Sequence, residues 1–252
     1  MSWLLWLSTA NAELECFNPQ QCYQLLLPSE ETTHMFVFLH GLGDSAEAFT
    51  RGSVVHTVRQ SMSVGKTPPS VLLIPEGERG YWTNWIDGEH LYEDWTLDTI
   101  RRIAKDYDIE QISLVGISMG GFGALSIGLR YPELIDRIVA YSPTDIEIAI
   151  NNRPTYQLYT GIYGQDIYYE YAYSRNPREL VLRGAGKGQD IYWIVGDAEP
   201  EKFLKGSERL DAACQAQGLS PQIRIVPGGE HSAQNTWNQE STLWWLNSIV
   251  WE

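Results

Sequence analysis

The stretch that most limits what this chain can fold into is Gln111 to Leu129, QISLVGISMGGFGALSIGL. Ile112, Leu114 and Val115 form a short apolar run of strand type. The chain then turns through Gly116-Ile117-Ser118-Met119-Gly120-Gly121 and enters a small-residue helix pattern carried by Ala124, Leu125, Ile127 and Leu129. A serine between a strand and a helix sits on a tight turn, so its Oγ projects from the sheet edge. Residues two before and two after it approach each other and the neighbouring strands. Glycine at Gly116 and Gly120 removes the side chains that would clash there. The helix starts at the serine, so its unpaired N–H groups and positive end face any negative charge that forms at Ser118. G-x-S-x-G alone occurs by chance; its setting between strand and helix makes it informative.

On either side of this unit, strand and helix patterns alternate. Cys22–Leu27 and Thr33–Leu39 read as strands, followed by a helix from Ala46 to about Met62. Val71–Pro75 is a buried strand, and Leu91–Tyr107 is an amphipathic helix with apolar residues at helical spacing. Arg137–Tyr141, Asp190–Val195 and Gln222–Val226 complete the strands. Helices are expected over Glu201–Gln217 and Ala233–Trp251. Such alternation predicts a mostly parallel central sheet with crossover helices on both faces, an α/β fold. The segment 146–188 is irregular and tyrosine-rich, and reads as a small cap-like insertion of short helices and loops over the site. Neither a repeat nor a linker divides the chain, so residues 13–252 are expected to form one domain.

A formal charge of −14 opposes binding to nucleic acid or an anionic membrane surface. No run is long and apolar enough to span a bilayer, so no stable membrane insertion is expected. Residues 1–12 end in Ala10-Asn11-Ala12 after an apolar WLLWL run, which resembles the end of a secretory signal, though short and without a basic start. That reading implies a periplasmic or secreted protein; a frayed cytosolic terminus is the alternative. Cys16 and Cys22 flank a turn-like stretch and could pair in an oxidising compartment, whereas Cys214 reads as a buried thiol.

Ser118 is a weak nucleophile without a base to take its proton. His231 is the only histidine after it and follows the last strand through Gly228-Gly229. Two acids, Asp197 and Glu199, lie just past the strand ending at Val195, either of which could orient the imidazole. Glu199 is favoured because Asp197 stays close to the strand end, and Asp197 is the alternative. Neither H-E-x-x-H, a CxxC pair nor a phosphate-binding glycine motif is present, so no metal and no cofactor is expected.

Taken together, FLHGLGDS, YWTNW-x-DG, GISMGGFGAL, LRYP, YSPTD and PGGEH resemble the putative-esterase (esterase D-like) branch of the α/β-hydrolases. That branch includes feruloyl and acetyl esterases, S-formylglutathione hydrolases and mycolyltransferases. The resemblance runs from about Tyr23 to the C-terminus. It implies the α/β-hydrolase fold and metal-free hydrolysis of a small-molecule ester through an acyl-enzyme, with a triad in the chain order Ser, acid, His. It supports Glu199 through the family's Gly-x-x-acid pattern, here Gly196 to Glu199. It also implies oxyanion donors at the N–H of Met119 and, in the His40-Gly41-Leu42-Gly43 loop, at the N–H of Leu42. The family often runs Gly-Gly-His directly, and here Glu230 intervenes.

In related esterases the YWTNW segment borders the site, so His40, Gly41, Trp82, Asn84 and Trp85 are candidate substrate contacts. Plain packing under a long loop is the competing reading of the aromatic residues. An acyltransferase on the same scaffold and a non-catalytic hydrolase-fold binding protein are the rival functions.

Overall fold

A strand buried on both faces must be covered by two separate layers, and its alternate residues belong to different cores. The computed structural model, which describes residues 14–150 and 156–251, shows this along the central strands of the sheet. Its strands are β1 (Glu15–Cys16), β2 (Cys22–Leu26), β3 (His34–Leu39), β4 (Val71–Pro75), β5 (Gln111–Ile117), β6 (Arg137–Tyr141), β7 (Asp190–Gly196) and β8 (Gln222–Val226). From β3, Met35, Val37 and Leu39 enter one core, and Phe36 and Phe38 the other. β6 and β7 divide in the same way: Ile138, Ala140 and Trp193 on one side, Val139, Tyr141 and Tyr192 on the other.

The strand order is β1-β2-β4-β3-β5-β6-β7-β8. β4, β3, β5, β6, β7 and β8 are parallel, while β2 runs antiparallel to β4 and β1 antiparallel to β2. β1 extends the edge beyond the predicted strands. In its register Cys16 stands opposite Cys22, and a disulfide joins them. Cys214 is the buried thiol expected of it, and burial pushes its pKa up to about 11.

The helices are α1 (Ala46–Thr50), α2 (Ser53–Ser63), α3 (Tyr92–Asp106), α4 (Met119–Arg130), α5 (Ile146–Ile150), α6 (Tyr156–Tyr163), α7 (Tyr169–Tyr173), α8 (Pro177–Leu182), α9 (Glu201–Ala216) and α10 (Gln239–Leu246). Apolar residues of α1, α2 and α10 fill one core, and those of α3, α4 and α9 the other. The fold is α/β, with a mostly parallel sheet between helical layers.

Two expected helices are shorter than predicted. The helix expected over Ala46–Met62 is two helices, because Gly52 takes an extended backbone (φ −70°, ψ 161°) between them. The terminal helix expected from Ala233 begins only at Gln239, where the Asn238 side chain accepts the Ser241 N–H. The preceding residues coil instead around Thr236, whose hydroxyl donates to the Glu230 carbonyl. The described part of the 146–188 segment holds short helices, and these pack into the domain. Ile146, Ile150, Tyr159, Ile162, Tyr163 and Val181 sit in the same core as α3 and α4. The candidate leader, residues 1–12, lies outside the described residues.

Candidate active site

β5 ends at Ile117, α4 begins at Met119, and Ser118 joins them with φ 57° and ψ −111°. A non-glycine residue at positive φ costs on the order of 1–3 kcal/mol and persists only where its surroundings hold it. Here the Ser118 N–H donates to the Tyr141 carbonyl on β6 (2.8 Å), and its own carbonyl accepts the Phe122 N–H (3.0 Å). The flanking glycines are sterically required. A Cβ on Gly116 would lie 1.9 Å from the Gly120 carbonyl oxygen, and one on Gly120 would lie 1.9 Å from that of Leu39.

The Gly228–Gly229 turn after β8 brings His231 onto this serine. Its Nε2 lies 3.0 Å from Ser118 Oγ, and its Nδ1 lies 2.7 Å from Glu199 Oε2. An ionised carboxylate only accepts, which places the ring proton on Nδ1 and leaves Nε2 free to accept from the serine. The Glu199 side chain is fully buried, and the imidazole is 22% exposed. Phe203 stacks on one face of the ring at 3.9 Å, and Trp237 meets it edge-on at 4.8 Å. A serine hydroxyl on a neutral imidazole, backed by a carboxylate, can lose its proton as it attacks a carbonyl.

Asp197, the alternative acid, faces elsewhere. It is exposed, and its Oδ1 accepts the Gly228 N–H at 2.6 Å. It ties the turn that carries the histidine to the turn that carries the acid. Glu230, the extra residue, does not displace His231. Its carbonyl accepts from the Ser232 N–H and the Thr236 hydroxyl, which fold the insertion into the turn.

On the other side of Ser118 lies the loop after β3. Gly41 sits against the elbow: a Cβ there would lie 3.7 Å from that of Ser118. The His40 ring is completely buried, so it is not a substrate contact, contrary to expectation. Its Nδ1 donates to the Gly41 carbonyl at 2.9 Å. Its Nε2 lies 3.0 Å from both the Gly77 nitrogen and Glu76 Oε1. The Gly41 carbonyl and the Leu42 N–H share one planar peptide unit, so anchoring the former turns the latter the opposite way. Burial works to raise the Glu76 pKa, but hydrogen bonds from His40 and from the Ala46 N–H outweigh it and hold the carboxyl below its usual value.

The YWTNW segment also departs from its expected role. Trp82 is fully buried, packs against Gly77 and Gly123, and donates its Nε1–H to the His40 carbonyl at 3.2 Å. Asn84 Oδ1 accepts the N–H groups of Glu93 and Asp94 and so caps the start of α3. Trp85 lies against His90 and donates to the Gly80 carbonyl. All three are held by packing and backbone hydrogen bonds, and none lines the cavity at Ser118.

The cavity at Ser118 has a volume of about 230 Å³. Gly41, Leu42, Phe49, Val54, Ile117 and Trp237 are among its walls, with His231 and Ser118 at one end. None of the described residues of 146–188 lines it. Most of its walls come from the loop after β3, from the α1–α2 break and from the turn before α10. Both helix interruptions therefore contribute walls to the cavity. A larger groove of about 790 Å³, lined by Leu27, Thr33, Pro68 and Tyr107, lies at the opposite ends of the strands and contains none of these residues. Ligands of open parallel sheets bind beyond the C-terminal strand ends, which favours the smaller cavity.

Sequence reasoning missed Ser142, Phe203 and Trp237, all of which surround the histidine and its acid. In the sequence Ser142 lies within the YSPTD motif and Trp237 within the expected terminal helix, and neither signal points to the acid.

Comparison with known proteins follows the same lines. The family described as "Putative esterase" matches residues 13–249. An S-formylglutathione hydrolase from Agrobacterium tumefaciens superposes with a TM-score of 0.74 at 18% identity, over 90% of this chain and 89% of that one. A ferulic acid esterase gives 0.69 at 18% identity, over 90% and 91%. The fluorophosphonate-binding serine hydrolase F of Staphylococcus aureus gives 0.74 at 15% identity, over 90% and 92%. At such identities these likenesses show the fold. A curated yeast protein (Saccharomyces cerevisiae), 1-acylglycerol-3-phosphate O-acyltransferase ICT1, is 33% identical over 60 residues, which span 24% of this chain and 15% of that protein.

Proposed function

The chain belongs to the putative-esterase family of the α/β-hydrolases, and on that premise we propose that it hydrolyses a small or medium acyl ester through Ser118, His231 and Glu199. The observation that carries this reading is the unbroken run from Ser118 Oγ through both ring nitrogens of His231 to Glu199, at 3.0 and 2.7 Å, ending in an apolar cavity. His231 takes the Ser118 proton as Oγ attacks the ester carbonyl. Glu199 holds the ring and balances the imidazolium that forms. The N–H groups of Met119 and Leu42 receive the oxyanion; losing one such donor costs on the order of a hundredfold or more in turnover. The imidazolium then protonates the departing alcohol, and water enters by the same route to release the acid.

Cavity size supports the substrate class. A cavity of about 150 Å³ takes a benzene ring. One of about 230 Å³ therefore suits an acyl group of roughly four to eight carbons. The test is a panel of p-nitrophenyl esters from acetate to decanoate. We expect butyrate and hexanoate to lead, and Ser118→Ala to abolish turnover while leaving the fold intact. Turnover that survives in Ser118→Ala overturns the reading.

The short stretch shared with a protein named as an acyltransferase favours one second reading, transfer to an alcohol. Added acceptor alcohol would then divert the acyl product from acid to ester. The Cys16–Cys22 disulfide supports export to an oxidising compartment, as proposed from the leader-like start. Thiol alkylation and mass analysis of the protein from separated cell fractions would test it.

A further inference from the structure

We infer that Ser142 is a positioning residue for Glu199, and that Trp237 fixes Ser142, so that a wall of the acyl cavity and the orientation of the base form one linkage. This rests on the triad reading above. Glu199 uses Oε2 for the histidine, which leaves Oε1 to be held by something else. It accepts the Gly196 N–H at 3.0 Å and the Ser142 hydroxyl at 2.5 Å. With the carboxylate fully buried, no water can replace either donor without cost.

The direction of the second bond is forced. An indole N–H can only donate, and a carboxylate can only accept. Trp237 Nε1 lies 3.0 Å from Ser142 Oγ, so the serine oxygen accepts there and its single proton must point to Glu199. The serine is itself immobile. It is completely buried, takes φ 49°, and donates its N–H to the Ile194 carbonyl at 2.7 Å. Trp237 is anchored from α2, where the Ser53 hydroxyl donates to its carbonyl at 2.5 Å. Both Ser53 and Trp237 line the cavity. Ser142 does not line it and touches none of the reacting atoms.

Removing the Ser142 hydroxyl leaves Oε1 with one donor, and the carboxylate turns away from Nδ1. The imidazolium then loses part of its counter-charge. Turnover falls, and the acid limb of kcat/KM moves to lower pH, because the protonated ring is less stabilised. KM stays, because the cavity is unchanged.

The test compares the parent protein with Ser142→Ala, Trp237→Phe and the double variant. The readouts are kcat and KM for p-nitrophenyl butyrate against pH, and the rate at which a fluorophosphonate labels Ser118 against pH. Ser142→Ala is expected to lose about tenfold in kcat with KM within about twofold. Trp237→Phe keeps the ring but loses the donor, and should lose about threefold. The double variant should be no worse than Ser142→Ala, because both changes cut one chain. The acid limb should fall in all three. An unmoved or raised limb, a loss confined to KM, or multiplying effects in the double variant overturn the linkage. If Ser142→Ala does not fold, Trp237→Phe decides by the same criteria. A parent protein that labels at Ser118 but hydrolyses no ester removes the esterase reading, and the labelling profiles still judge the linkage. A parent that does not label overturns both.

Discussion

Two aromatic turns flank the elbow, Tyr81–Trp85 on one side and His231–Trp237 on the other, and they do different work. In the first, Trp82 spends its N–H on a backbone carbonyl and its ring on the glycines beneath it. In the second, Trp237 sends its N–H to a side chain that reaches the buried carboxylate, and its ring faces the cavity. Each turn carries a tryptophan indole. What separates them is where the polar tip of each indole goes: a ring tied to main chain serves the fold, and one tied through a serine hydroxyl to a buried carboxylate serves the site.

The contrast can be broken by substitution. His231→Ala should cost on the order of 10⁵-fold or more in kcat with little change in melting temperature, measured by ester turnover and thermal unfolding. Glu199→Gln should cost about 10⁴-fold, while Asp197→Asn, whose carboxylate faces Gly228, should keep kcat near the parent's. Equal losses from both acids would remove the distinction drawn between them. Trp82→Ala should invert the pattern. It is expected to cost about 3–5 kcal/mol of stability, read by denaturant melting, while the folded fraction keeps its kcat.

Two smaller effects sharpen the picture on the packing side. Asn84→Ala removes the two bonds that cap α3 and should cost about 1 kcal/mol, again by denaturant melting, without change in KM. Glu76 contributes through a carboxyl held below its ordinary pKa, so its stabilisation is present above the unfolded value and is lost as pH falls through the folded one. Glu76→Gln should therefore be less stable than the parent at neutral pH. The gap should close in acid, as followed by unfolding across pH.

The fold was legible because alternate residues of β3, β5, β6 and β7 are apolar toward two cores and glycines punctuate the elbow. The elbow serine and the histidine were legible from chain order. Glu199 rather than Asp197 could be favoured, but only the side-chain directions separate them. The cavity was not legible. It depends on Gly52 interrupting one helix and on Thr236 and Asn238 delaying another, where helical periodicity continues through the sequence. Ser142 was hidden for a similar reason: its value comes from partners 57 and 95 positions away in the chain.

One close approach carries a further consequence. A Cβ on Gly196 would fall 2.0 Å from the carbonyl oxygen of Gly229, and one on Gly229 would fall 2.9 Å from the Cα of Gly196. The turns bearing acid and base, which follow the parallel strands β7 and β8, are thus welded main chain to main chain, with the Thr236 hydroxyl packed against both glycines. Most walls of the cavity, by contrast, belong to other loops. Substitutions in the loop after β3 or at Phe49 and Val54 can reshape what is bound while this welded pair stays in alignment, whereas a change at Trp237, or at Ser53 that anchors it, also reaches the acid.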